Sequence, residues 1–182
     1  MRFHPIPALI VCVVCGCASA PKIDYYTLGM ESSGRSEPTV NLSVERFRST
    51  EALSRSQIMV LESPTRVDYY ATDHWAGSIG ELVQRKLAAE FGPQVSGRKT
   101  LIVSGTVVAC EQVERRGGAE ARVELEVVVR DSELARYRPP LLEKSYSATR
   151  AVSNANPGAV VEQLSRCVEE IAAEIAVDVS SI

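Results

Sequence analysis

The 182-residue chain predicts an α+β fold, a single antiparallel-rich sheet with two amphipathic helices packed on one face. Three observations predict it. Several runs alternate apolar and polar residues with period two, which marks strands with one buried face. Two longer segments carry apolar residues at three- and four-residue spacing, the mark of a helix with one apolar stripe. These segments follow the order strand, strand, strand, helix, strand, strand, strand, helix. Strands joined by short turns pair antiparallel, and two one-faced helices need one face of that sheet to cover.

The first strand is "TVNLSVERF", where Val40, Leu42 and Val44 alternate with Asn41, Ser43 and Glu45. "QIMVLESP" and "RVDYYATDHW" follow as a hairpin pair, with Ser63-Pro64-Thr65 as the turn. Ser78-Ile79-Gly80-Glu81 then has the S-x-x-E form of a capping box and opens a helix. Its stripe is Ile79, Leu82, Val83, Leu87 and Phe91, and Gly92-Pro93 stops it. Glu81, Gln84, Arg85 and Lys86 fall on the other side and are expected in solvent.

"TLIVSGTVVACEQVER" and "EARVELEVVVRD" are long strands joined by the glycine-rich turn Arg116-Gly117-Gly118-Ala119, which accepts positive φ. Leu101, Val103, Val107 and Ala109 are expected to face one way, with Val123, Leu125, Val127 and Val129 beside them. "LEKSYSATR" supplies a further strand. The last helix opens at Asn156-Pro157, an N-cap followed by proline at the first helical position. Its stripe runs through Val160, Leu164, Val168, Ile171 and Ile175, with Cys167 on or beside it.

Ahead of this domain lies "CVVCGCASA", three cysteines within six residues. Thiolates bind metals, but the surroundings point elsewhere. Arg2 is the only charged side chain before Lys22, and "FHPIPALIVCVVCG" between them is apolar, too short to span a bilayer and ends in small residues. Those features describe a secretory signal peptide. Val14-Cys15-Gly16-Cys17 resembles the lipobox of bacterial lipoproteins, in which the last cysteine receives a diacylglycerol thioether and becomes the new N-terminus. Cys15 departs from the usual Ala, Ser or Thr at its position. On this resemblance residues 1–16 are the signal peptide and Cys17 carries a diacylglycerol and an N-acyl group such as palmitate. Each buried methylene contributes about 0.8 kcal/mol, so two or more chains anchor firmly where one binds reversibly. Ala18 and Ser19 follow Cys17; the lack of an Asp there favours the outer membrane in the usual sorting rule.

Residues 17–38 are expected to form the lipidated N-terminus and a Ser-, Gly- and Pro-rich tether, and residues 39–182 the domain. Inside the tether, "DYYTL" is an apolar, aromatic island that either adds an extended segment to the domain or docks on a partner. Cleavage before Cys17 removes one of the 20 Lys and Arg residues and none of the 23 Asp and Glu, leaving a formal charge of −4. That slight acidic excess gives no electrostatic reason to bind nucleic acid or an anionic lipid surface. Besides Cys17, the remaining cysteines are Cys110 and Cys167. In an oxidising periplasm they form a disulfide, or they pack as two small buried hydrophobes; sequence leaves both open.

The chain contains no G-x-S-x-G, H-E-x-x-H, P-loop or G-x-G-x-x-G motif. His74 is the one histidine after Cys17, so no metal ligand set is expected, and neither is a cofactor beyond the covalent lipid. It adjoins Asp73, but neighbours on a strand point to opposite faces, and a surface loop leading into the helix is the expectation for it. Tyr69, Tyr70 and Trp75 cluster within seven residues, and Tyr25 and Tyr26 sit in the tether. Such residues dominate interface hot spots and also anchor cores. Core is the expectation for Trp75; the tyrosines are open.

A lipobox, "YYTL" soon after it, a strand ending in "VERF", "YYATDHWAGSIGELVQRKLAAEFG", a "GTVVACEQV" strand and a C-terminal "GAVVEQLSRCVEEIAAEIAVDV" helix together resemble the ABC-type transport auxiliary lipoprotein component family of PqiC-like outer-membrane lipoproteins. The resemblance covers nearly the whole chain after Cys17. It implies a non-enzymatic lipoprotein anchored in the outer membrane with its domain in the periplasm. It also implies an ABC transporter and an MCE-domain protein forming a lipid conduit as partners, and a homo-oligomeric ring. A lipid-carrying module with a cavity between helices and sheet, and a lipoprotein assisting outer-membrane or lipopolysaccharide assembly, are the alternatives.

Overall fold

The computed structural model describes residues 20–34, 38–134, 138–154 and 156–182. Its strands are β1 (Asp24–Tyr26), β2 (Asn41–Val44), β3 (Arg48–Ser49), β4 (Gln57–Ser63), β5 (Arg66–Trp75), β6 (Thr100–Arg115), β7 (Gly118–Asp131) and β8 (Leu142–Val152). Two helices, α1 (Ile79–Phe91) and α2 (Pro157–Val179), and a 3₁₀ turn at Glu51–Ser54 complete the set. All eight strands join one mixed sheet in the order β1-β5-β4-β6-β7-β8, with β2 and β3 also paired to β6. The helices touch each other and both cover β6, so the expected α+β layering holds.

The β6–β7–β8 meander follows the sequence pattern closely. Val103 faces Val129, Val107 faces Leu125, and β7 meets β8 with Leu125 opposite Tyr146 and Val123 opposite Ala148. Against this row lies α2, whose Val160, Leu164, Val168, Ile171 and Ile175 are fully buried. One expectation fails here. The register slips between Val107 and Ala109, so Cys110 rather than Ala109 stands opposite Val123. A one-residue slip exchanges the faces of every later side chain, so Ala109 leaves the row and Cys110 enters it.

The other edge of β6 is assembled from pieces. β2 lies along residues 100–103, β3 along residues 106–107 and β4 along residues 111–113, all parallel to β6. A parallel neighbour needs a crossover, which β5 and α1 supply between β4 and β6. Of the expected strand "TVNLSVERF" only Asn41–Val44 pairs, as β2, and β3 follows after the segment ends. The segment ends at Phe47, which is buried and lies against Gly105 and Gly80. A Cβ at Gly80 would stand 2.2 Å from the Phe47 carbonyl oxygen, so glycine allows α1 to sit on this segment. Asn41, expected on a solvated face, is buried because its amide donates to the Val95 carbonyl and accepts from the Val95 N–H. This pins the connection after α1.

The helix ends divide. Asn156 accepts from the Ala159 N–H at 2.9 Å and Pro157 starts α2, as the sequence indicates. Gly92, at φ 73°, ends α1. The capping box at Ser78 does not form: its hydroxyl accepts from Arg46 and makes no cap bond. Pro64 and Thr65 turn the β4–β5 hairpin, and Arg116 with Gly117, at φ 89°, turns β6 into β7.

Candidate functional site

Cys17, with Cys12 and Cys15, lies outside the described residues. The chain that follows is on the domain rather than free. β1 extends the sheet beside β5, with Tyr25 opposite His74 and Tyr26 opposite Trp75. The "DYYTL" island thus adds a segment to the domain. After β1 the chain crosses onto the helices as a strap. Leu28 is fully buried, and the Gly29 N–H donates to the Ser165 hydroxyl of α2 at 2.9 Å.

A buried ionic cluster fastens the end of the strap. Lys86 Nζ of α1 donates to the Glu31 carbonyl at 2.8 Å, to Glu90 at 2.7 Å and to Glu169 of α2 at 2.9 Å. Ser33 donates to Glu90 through both its N–H and its hydroxyl, the latter at 2.6 Å. Lys86 is 1% exposed, which corrects the expectation that it lies in solvent. Strap and α2 cover it, and three acceptors satisfy its three donors. Burial alone would raise the Glu90 carboxyl; the hydrogen bonds from Lys86 and Ser33 outweigh it and hold the group below its ordinary value. An open groove of about 620 Å³ flanks the strap, lined by Met30, Ser32, Val161, Glu162 and Arg166 among others.

The aromatic residues separate into buried, bonded and exposed. Trp75 is buried in the core. Tyr26 donates to Asp73 at 3.0 Å, Tyr70 to Gln112 at 2.6 Å and Tyr69 to the Ala52 carbonyl at 2.9 Å, with Arg55 over the Tyr69 ring. Tyr25 is 66% exposed at the sheet edge and meets His74 edge-to-face. Only Tyr25 of the five presents most of its ring. His74 lies within β5 rather than in a loop, beside the Ser56 hydroxyl, while Asp73 is engaged by Tyr26 and Thr72.

Cys110 and Cys167 are free and buried in this structure. The Cys167 thiol donates to the Ala121 carbonyl at 3.6 Å. Burial, and after it the negative Glu170, push this thiol up to about 12; burial and then Cys167 push Cys110 up further. Both stay protonated near neutral pH, and the thiolate is the form that oxidises. Among the described residues no group of three or more His, Cys, Asp or Glu is placed to hold a metal ion, and no helix is long and apolar enough to cross a membrane.

The family model of the ABC-type transport auxiliary lipoprotein component matches residues 26–176. The chain belongs to this family. The match starts at Tyr26 in β1 and so includes the strap, α1, the whole β6–β7–β8 meander and all but the last three residues of α2. Among solved structures, an uncharacterised protein is 15% identical with a TM-score of 0.67, covering 88% of this chain and 100% of its own. A DUF330 protein from Xanthomonas campestris is 13% identical with a TM-score of 0.64, covering 86% of this chain and 93% of its own. At these identities the likeness shows a shared fold. A comparison with curated protein sequences gave no significant match.

The strap cluster is what sequence reasoning missed. Lys86 and Glu90 stand four apart, a spacing visible in the sequence, but local spacing does not say what covers the pair.

Proposed function

We propose that this auxiliary transport lipoprotein is a non-catalytic tethering subunit. Cys17 fixes it to the periplasmic face of the outer membrane, and the folded domain docks an MCE-type partner of an ABC lipid transporter. The observation that carries the proposal is the lipobox Val14–Cys17 placed directly ahead of a family match that begins at Tyr26. Between the two lie only eight residues, so the domain is held close to its anchor.

A docking role also suits the surface. Tyr25 is an exposed aromatic on an edge strand, where a partner can contribute main-chain pairing and an apolar contact. The lipid-carrier alternative needs room between helices and sheet. That space is occupied by fully buried Leu125, Val129, Leu164, Ile171 and Ile175.

The test is a photo-crosslinking pull-down of the intact lipoprotein with a benzophenone side chain replacing Tyr25. Recovery of an MCE-domain protein is the expected result. Capture of outer-membrane assembly factors, or of no envelope protein at all, would reject the docking role.

A further inference from the structure

The direction of β1 says where the anchor must lie. β6 runs from Thr100 toward the Arg116–Gly117 turn, β4 runs parallel to it toward the Pro64–Thr65 turn, and β5 returns antiparallel. β1 is parallel to β5, with Asp24 opposite Asp73. It therefore runs away from the two turns, and the chain ahead of Asp24 arrives from their side.

Length limits the rest. Cys17 precedes Asp24 by seven residues, a reach of at most about 25 Å. Asp73 is seven residues from Arg66 at the hairpin tip, but register shifts in β5 set this stretch opposite only about five residues of β4, about 17 Å along the strand. The tips are within reach of a tether that continues the line of β1. Going the other way, the register from Gln57–His74 through Met59–Glu111 puts this point near Ala109, nine residues from the start of β6 at Thr100. That is about 30 Å, beyond the reach of the tether even if it doubled back.

Resting on the reading of Cys17 as the lipid anchor, the geometry points to a membrane-facing end: the Pro64–Thr65 and Arg116–Gly117 tips abut the phospholipid headgroups of the leaflet that holds Cys17. The opposite end, with residues 92–99 and the C-terminus of α2, is presented away from the membrane. At the tips Arg66 pairs with Glu62 and Arg115 with Glu120, while Arg116 and Glu114 add one charge of each sign. The local charges balance. Contact is thus imposed by the short tether and not by attraction to anionic lipid, so it is insensitive to salt.

The test uses full-length lipidated protein in phosphatidylethanolamine–phosphatidylglycerol vesicles carrying a headgroup spin label. Single thiols introduced by Thr65→Cys, Gln94→Cys or Ser147→Cys receive a fluorophore, the buried Cys110 and Cys167 staying protonated and unlabelled. Several-fold stronger quenching at position 65 than at 94 or 147, unchanged in high salt, is expected. Inserting twelve Gly and Ser residues after Ala20 should abolish that difference while vesicle flotation persists. Flotation with equal quenching at all three positions, or with strongest quenching at 94 or 147, overturns the orientation while leaving the anchor intact. Loss of flotation in the wild-type protein overturns the anchor itself.

Discussion

The two halves of the sheet share one apolar core but differ in how their strands are paired and fastened. In the β6–β7–β8 meander, long antiparallel strands present an unbroken apolar row to α2, with side chains such as Val123, Leu125 and Val129 fully buried. Around β1 to β5 the strands are shorter and mostly parallel to their neighbours, and buried Leu28, Phe47 and Ile58 share the core with a set of specific polar contacts. Asn41 grips Val95, Gln84 of α1 donates to the Val44 carbonyl, Gly29 meets Ser165, and Lys86 binds Glu31, Glu90 and Glu169. Alternation specifies the first half apart from the slip in β6 after Val107. The second half adds specific donors and acceptors to its share of the apolar core.

The largest expected effect breaks that contrast at Lys86. Lys86→Ala leaves Glu90 and Glu169 without their shared cation and should destabilise the protein by about 3–5 kcal/mol, the usual cost of removing one partner from a buried ion pair. Urea denaturation measures the loss, and limited proteolysis should open the chain at the strap before the meander.

Glycine positions sharpen the same comparison. Gly80→Ala drives a Cβ into the Phe47 carbonyl and should cost about 1–3 kcal/mol, the range for overpacking. Gly118→Ala, at the start of β7, meets nothing within 4 Å and should change the thermal midpoint little.

Acid should separate the halves. The Glu90 carboxyl is held below its ordinary value of 4.5, so its contribution is complete above that pH and is lost as pH falls through the lower folded-state value. Hydrogen exchange is expected to show the strap amides losing protection in acid before those of β7. Asn156→Ala, on the meander side, removes one cap bond and should cost only about 1 kcal/mol by the same denaturation assay.

The sequence made the meander and α2 legible because their signal is local: "ARVELEVVVRD" alternates, and Asn156-Pro157 announces a helix. The slip after Val107 was not legible, since no residue there forces a bulge and the apolar run "VVAC" fits either face. The parallel pairings of β1 to β4 depend on strands that are distant in sequence, and period-two patterns do not encode partners. Helical spacing puts Lys86 on the solvent side because it knows nothing of a strap that crosses from more than fifty residues away. The tyrosines were legible as a group, yet their fates differ with the acceptor each one finds. Cys17 stands out in the sequence, and the structure contributes the direction of β1, parallel to β5.

The central claim is that this domain works while held at a membrane by position 17. Cys17→Ser tests it most directly, read by fractionating the cell envelope and crosslinking each fraction. The account predicts a stable, folded protein that moves to the soluble periplasmic fraction and loses its crosslinks to the transporter partner. A Cys17→Ser protein that still sediments with outer membranes and retains those crosslinks would contradict it.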